Sequence, residues 1–173
     1  MPISLTGLSV SFAYRTGFFN IGAEGQLMVG ACASIATAVL FPQIPVVHML
    51  VSVLAGILAG AAWGFLPGIL KSKFNLHEVV ICIMMNYIGM YLANYVYVQL
   101  PGSDTSRTAL IPESASLSNS FFESLTNHSS LNLGIYFVIL AVLAYWFIIE
   151  KTSYGYGLRA TGFNKVGGRY AGM

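Results

Sequence analysis

Residues 46 to 70 read VVHMLVSVLAGILAGAAWGFLPGIL, an apolar run that contains no Asp, Glu, Lys or Arg. About 20 mainly apolar residues are enough to cross a bilayer as a helix. Gly56, Gly60 and Gly64 recur at four-residue spacing within the run. Small residues at that spacing let helix backbones approach closely in lipid. The run therefore predicts a transmembrane helix that packs against other helices.

Three further stretches, one before this run and two after it, are also long and mainly apolar. The predicted spans are about 23–41, 46–70, 76–100 and 133–149. We expect an all-α fold, a polytopic transmembrane helix bundle. Within the second span, Pro67 followed by Gly68 should bend or end the helix. At the start of the third span, Asn75 and Glu78 have the spacing of an N-cap and its acidic partner.

The composition supports this class of protein. The chain is 56% hydrophobic and 8% charged, whereas soluble domains carry about 25% charged residues. A net charge of +2 is too small to suggest a nucleic-acid-binding surface. Cys32 and Cys82 fall within apolar runs and are predicted to be packing residues, without a disulfide framework or a metal site.

The distribution of basic residues predicts the orientation. With alternating spans, one side of the membrane collects Lys71, Lys73, Lys151, Arg159, Lys165, Arg169 and Arg15, and the other side keeps Arg107. Basic residues are retained in the cytoplasm. The 71–75 turn and the segment 150–173 are therefore expected to be cytoplasmic, and the serine-rich loop 101–132 to be external.

A polar, glycine-rich segment precedes the first span. Residues 15–26 read RTGFFNIGAEGQ, and they predict a broken or re-entrant backbone near residues 15–25. Many transporters place such breaks at the substrate site, which makes Asn20, Glu24 and Gln26 candidates for the substrate path. The alternative is an ordinary interfacial turn, with Glu24 in the first turn of a helix.

Polar and aromatic residues also share one face of the third span. Tyr87, Tyr91 and Asn94 follow helical spacing, and Asn86 lies beside them. Such a face would suit a path for a flat, hydroxyl-rich solute. The alternative is an interhelical hydrogen bond from Asn86 or Asn94, with the tyrosines lying at a membrane interface.

The segment 150–173 is basic and rich in glycine. Retention of positive charge inside the cell explains its basic residues. The recurring glycines favour a short helix that is broken at both ends and docks on a partner. The sequence contains no H-E-x-x-H, G-x-S-x-G or G-x-x-x-x-G-K-[ST] motif. We therefore expect no enzyme and no cofactor in this chain, and any ATP would be bound by another chain.

These motifs, taken in order, resemble those of one transporter family. The matching stretches are GLSVSFAYRTG at 7–17, FNIGAEGQ at 19–26, HEVV at 77–80, MNYI at 85–88, GLRA at 157–160 and YAGM at 170–173, with Gly162 and Asn164. Together they resemble the permease subunits of ABC importers for nucleosides and simple sugars. That family is related to the ribose and branched-chain amino-acid permeases.

The resemblance implies a multi-pass protein of a bacterial plasma (inner) membrane that works in a complex. Its partners would be a second permease subunit, cytoplasmic ABC ATPase subunits and an external solute-binding protein or lipoprotein. Six residues would belong to the segment that couples to the ATPase: Gly157, Arg159, Gly162, Asn164, Tyr170 and Gly172. The solute would be a nucleoside or a simple sugar.

Two departures from the family pattern accompany the resemblance. Gly167 and Gly168 stand where the family usually has alanines, and glycine weakens a helix by roughly 1 kcal/mol relative to alanine. Family members are also about twice as long, so the chain is expected to be a fragment of a larger permease. A second hypothesis remains open, a self-contained secondary transporter whose broken segment at 15–26 binds the substrate.

Overall fold

A computed structural model of the chain describes residues 2–42, 44, 47–104, 107–115 and 134–172. Its helices are α1 (Pro2–Arg15), α2 (Ala23–Leu40), α3 (Val47–Phe74), α4 (Glu78–Gln99), α5 (Gly134–Lys151), α6 (Ser153–Phe163) and α7 (Lys165–Tyr170), with a 3-10 turn at Glu113–Ala115. An isolated β-bridge joins Asp104 and Arg107. The predicted all-α fold is confirmed for these described residues.

Four of the helices, α2 to α5, are long and apolar enough to cross a membrane. Their bounds lie within a few residues of the four predicted spans. The break expected near residues 15–25 is also present, because α1 ends at Arg15 and α2 begins at Ala23. Within the predicted external loop 101–132, residues 105–106 and 116–132 lie outside the described residues.

The helices form two compact units. In the unit made of α2, α3, α4 and the 3-10 turn, α2 packs along α3 at the glycine seam predicted from the sequence. A β-carbon on Gly30 would lie 3.0 Å from the carbonyl oxygen of Gly56, and one on Gly60 would lie 3.4 Å from the carbonyl oxygen of Gln26. The absence of side chains therefore permits the backbone contact between α2 and α3.

Of the two local predictions about helix ends, the one at Pro67 is narrowed and the one at Asn75 is wrong. Helix α3 does not end at Pro67 but continues to Phe74, with the proline ring fully buried. A continuing helix leaves fewer backbone groups unsatisfied in lipid, which outweighs the one N–H donor that proline removes. Asn75 is not the N-cap of α4, because His77 occupies that position.

Asn75 instead ends α3. Its φ is +50°, in the left-handed region that Asn tolerates, and its backbone N–H donates to the carbonyl oxygen of Lys71 at 2.9 Å. This is the backbone conformation of a helix C-terminal cap. Glu78, in the first turn of α4, accepts a hydrogen bond from the ammonium group of Lys71. The turn between α3 and α4 is thus closed by an ion pair.

The opposite end of α3 is closed by a buried histidine. His48 is 0% exposed, and its Nε2 lies 3.1 Å from the carbonyl oxygen of Ala38 at the end of α2. A carbonyl oxygen only accepts, so Nε2 donates, and Nδ1 shares a hydrogen bond of 2.8 Å with the Ser114 hydroxyl. His48 therefore fastens the 3-10 turn to the ends of α2 and α3.

The second unit contains α1, α5, α6 and α7. Phe12 of α1 and Tyr145 of α5 make an edge-to-face contact with ring centroids 6.1 Å apart, and the Tyr145 hydroxyl is within 3.1 Å of the Ser11 hydroxyl. Thr152 is the N-cap of α6, since its hydroxyl accepts from the Gly155 N–H at 3.0 Å. Local capping thus starts α6 immediately after α5 ends.

Candidate functional site

The site begins at the N-terminus of α2, which is capped by a neighbouring helix. Gly22 at the N-cap position has no side chain that could accept from the free N–H groups of the first turn. The Asn86 side chain of α4 supplies the acceptor, because its Oδ1 lies 2.8 Å from the Gly25 N–H. This is the interhelical hydrogen bond that the sequence offered as one interpretation of Asn86.

Two glycines set the register of this contact. A β-carbon on Gly25 would lie 2.9 Å from Asn86 Oδ1, closer than real β-carbons come to neighbouring atoms. One on Gly89 would lie 3.3 Å from the carbonyl oxygen of Gly25. The absence of both side chains lets α2 lie close enough to α4 for the cap to form.

The first turn of α2 meets α4 away from both ends of that helix. Asn86 is eight residues from the start of α4 at Glu78, which corresponds to about 12 Å at 1.5 Å per residue. The whole of α4, 22 residues long, spans roughly 33 Å by the same rise. The polar start of α2 is therefore displaced by about two helical turns from the end of α4 that bears Glu78.

A cavity of about 270 Å³ opens at this level between α2 and α4. Its lining residues are Glu24, Met28, Ile83, Asn86, Tyr87 and Met90. The structure thus brings together three of the residues predicted for the substrate path, Glu24, Asn86 and Tyr87. In the part of the chain that the structure describes, no basic side chain forms an ion pair with the exposed Glu24 carboxylate.

Four other predicted path residues lie elsewhere. The Gln26 side chain covers Gly64 on α3, where its Nε2 would be 2.6 Å from an added β-carbon. Tyr91 and Asn94 are exposed farther along α4 and do not line the cavity. Asn20 is buried, and it belongs to the unit that contains α1.

Sequence reasoning missed the three apolar lining residues, Met28, Ile83 and Met90. Each lies four residues from a polar residue of the cavity, Met28 from Glu24, Ile83 from Tyr87 and Met90 from Asn86. Residues four apart are neighbours on a helix surface, so this spacing was the available signal. Cys32 and Cys82 are buried, which confirms their prediction as packing residues.

The segment 150–173 forms a second group of candidate residues, in the unit that contains α1. The carboxylate of Glu150 accepts from two arginines, Arg15 Nη1 at 3.1 Å and Arg159 Nη1 at 2.8 Å. Gly162 approaches the chain just after α1, where a β-carbon would lie 2.7 Å from the Arg15 carbonyl oxygen. Helix α6 is thus joined to the end of α1 by charge and by close packing.

The remaining predicted residues of this segment shape its helices. Asn164 is both the C-cap of α6 and the N-cap of α7, and its side chain accepts from the Gly167 N–H at 3.0 Å. Gly157 lies inside α6 and its carbonyl oxygen accepts from the Thr161 hydroxyl at 2.9 Å. Tyr170 is 90% exposed at the end of α7, and Gly172 follows with a φ of +75°.

Gly167 and Gly168 lower the helix propensity of α7, but the packing of α7 on α6 requires glycine at position 168. Helix α7 forms over both glycines, and a β-carbon on Gly168 would lie 2.6 Å from the Thr161 methyl group. Alanine at 168 would therefore improve helix propensity while colliding with α6. Glycine at position 168 leaves room for the Thr161 methyl group that faces it.

Comparison with known proteins gives a family match over the whole chain. The family model described as "Branched-chain amino acid transport system / permease component" matches residues 1–173. A guanosine ABC transporter permease of Bacillus subtilis is 45% identical over 99% of this chain and 49% of its own length. No solved structure matches the chain.

Two further relatives extend the comparison. A nucleoside ABC transporter permease of Lactococcus lactis is 36% identical over 99% of this chain and 49% of its own length. A glucose ABC transporter permease of Haloferax volcanii is 30% identical over 100% of this chain and 48% of its own length. The chain spans about half the length of the curated relatives it matches.

Proposed function

Since the chain belongs to the family of branched-chain amino acid transport system permease components, we propose that it forms part of the membrane-spanning subunit of an ATP-driven nucleoside importer. The observation that carries this proposal is the 45% identity, over nearly the whole chain, to a permease named for guanosine transport. The second relative is named for nucleosides. Nucleosides are therefore favoured over glucose, which the more distant relative transports by its name.

The unit of α2, α3 and α4 would contribute to the translocation path. An uncharged, ring-containing solute needs polar groups at membrane depth together with aromatic and apolar walls. The cavity beside Glu24 and Asn86 offers this combination. At membrane depth, the Glu24 carboxylate would also favour a functional role, because intramembrane ionisable groups are costly unless they are used.

Segment 150–173 would dock on a cytoplasmic ATPase. Its support is the excess of basic residues on one predicted side of the membrane and the exposure of Tyr154, Phe163 and Tyr170 on α6 and α7. ATP binding by that partner would move the segment and switch the path from outward-facing to inward-facing. A second permease subunit and an external solute-binding protein would complete the importer.

The test is uptake of labelled guanosine by cells that express the whole gene product containing residues 1–173 together with its partner subunits. We expect uptake that is abolished when the ATPase partner carries a substitution that prevents ATP hydrolysis. Uptake that persists with the inactive ATPase and collapses when a protonophore is added would support a secondary transporter instead. Uptake of glucose without guanosine would reject the proposed substrate.

A further inference from the structure

We propose that the cavity between α2 and α4 is a purine-base subsite in which Glu24 selects guanine over adenine. This inference rests on the proposed function for the class of solute. It adds to that function the part of the nucleoside that is recognised and the residue that recognises it. The argument uses the six lining residues, Glu24, Met28, Ile83, Asn86, Tyr87 and Met90.

The walls of the cavity suit a flat ring. Tyr87 presents an aromatic ring, and bases stack on such rings in single-stranded recognition sites. Met28 and Met90 add flexible thioethers, which make favourable contacts with aromatic rings. The volume of about 270 Å³ lies just below the range of about 300–1,000 Å³ typical of small-molecule sites. It therefore suits one ring system more than a large ligand.

The polar groups of the cavity differ in their availability. Asn86 Oδ1 is already engaged with the Gly25 N–H at 2.8 Å. The Glu24 carboxylate is exposed at the cavity, and it forms no ion pair within the described ranges of the chain. Glu24 is therefore the residue positioned to accept hydrogen bonds from a ligand. Asn86 instead caps α2, the helix that carries Glu24.

An ionised carboxylate accepts hydrogen bonds and donates none. It matches a ligand edge that presents two adjacent donors. Guanine presents such an edge through its N1–H and its N2 amino group. Adenine presents the N6 amino group next to the N1 lone pair, which a carboxylate oxygen repels. Glu24 would thus bind guanine with two hydrogen bonds and disfavour adenine.

The first test measures initial rates of guanosine and adenosine uptake by the whole gene product with its partners. Glu24→Gln should lower the guanosine-to-adenosine ratio by roughly tenfold, because a bidentate, charge-assisted pair is lost. Asp104→Asn, the same chemical change away from the cavity, should keep the parental ratio. Tyr87→Leu should lower guanosine affinity more than Tyr87→Phe, which retains the ring. A parental ratio in Glu24→Gln would overturn the proposal.

The second test does not depend on transport. The purified complex is irradiated with 8-azidoguanosine, and the labelled peptides are identified by mass spectrometry. We expect label on peptides containing Met28 or Met90, reduced by excess guanosine and unaffected by excess glucose. Label confined to other regions, or displaced by glucose and not by guanosine, would reject the subsite. If guanosine uptake is normal while the label lies elsewhere, only this inference fails; if uptake is absent and the cavity is labelled, only the proposed importer fails.

Discussion

Gly17 and Gly162 meet backbone to backbone: a β-carbon on Gly17 would lie 2.8 Å from the carbonyl oxygen of Gly162. Gly17 also has a φ of +76°, a region that disfavours other residues. The approach therefore depends on glycine at both positions. It joins the segment that follows α1 to the end of α6.

The contact between Gly17 and Gly162 predicts that one added methyl group destabilises the protein. Gly162→Ala should destabilise the protein and reduce the proposed docking on an ATPase, because its β-carbon would meet backbone atoms at 2.7–2.9 Å. Gly7→Ala is the matched control, since nothing lies within 4 Å of a β-carbon there. The measurement is the thermal unfolding midpoint in detergent, followed by co-purification of the ATPase. Equal midpoints for the two variants would contradict the close approach.

A second prediction concerns Thr161 and Gly168. Gly168→Ala alone should loosen the packing of α7 on α6, because its methyl group would lie 2.6 Å from Thr161 Cγ2. Thr161→Ser removes that methyl group and keeps the hydroxyl that bonds to Gly157. The double variant should therefore recover the stability lost by Gly168→Ala. Strictly additive losses in a double-mutant cycle would show that the two residues do not meet.

The two ion pairs of Glu150 are expected to differ in coupling energy. The pair with Arg159 should couple more strongly than the pair with Arg15, because it is shorter and Arg159 is 26% exposed against 48% for Arg15. Both pairs are partly solvated, so each coupling should stay below about 1 kcal/mol and decrease with added salt. Double-mutant cycles with Glu150→Gln, Arg15→Gln and Arg159→Gln measure the two values. A stronger coupling of Glu150 to Arg15 than to Arg159 would contradict this prediction.

His48 should hold the 3-10 turn in place. His48→Phe removes two hydrogen bonds from a fully buried position, which typically costs about 1–3 kcal/mol. Hydrogen exchange should then accelerate across residues 107–115. Ser52→Ala is the control, because the Ser52 hydroxyl donates to the His48 carbonyl oxygen within the same helix. Unchanged exchange in His48→Phe would show that the turn is held by other contacts.

The proposed orientation is tested with single cysteines in a background that lacks Cys32 and Cys82. Cysteine in place of Leu110, which is 93% exposed, should react with an impermeant thiol reagent in intact cells. Cysteine in place of Ser72, in the stretch that bears Lys71 and Lys73, should react only after the cells are lysed. The reverse pattern would overturn the orientation.

The spans could be predicted because length and apolarity alone identify a membrane helix, and neither depends on what a helix contacts. The end of α3 at Asn75 could not be predicted, since it depends on backbone conformation and hydrogen bonding rather than on a sequence pattern. His48 gave no signal because its partners, Ala38 and Ser114, are distant in sequence.

The candidate cavity was predictable in its parts and not as a whole. Glu24, Asn86 and Tyr87 each stood out as polar or aromatic residues in apolar surroundings. Their meeting depends on the register between α2 and α4, which Gly25 and Gly89 set by close approach. One sequence does not state which glycine faces which helix. The role of Gly168 was hidden for the same reason, because it is understood only opposite Thr161.

Asn164 is the single residue that connects α6 to α7, and it caps both helices. The direction of α7 relative to α6 is governed by the two torsion angles of one residue, now φ −149° and ψ 102°. Helix α7 is six residues long, or about 9 Å, so each 10° of rotation at the joint swings the Tyr170 end by about 1.5 Å. A β-carbon at position 168 would lie 2.6 Å from Thr161 Cγ2, so a residue larger than glycine there would change the angle between the two helices.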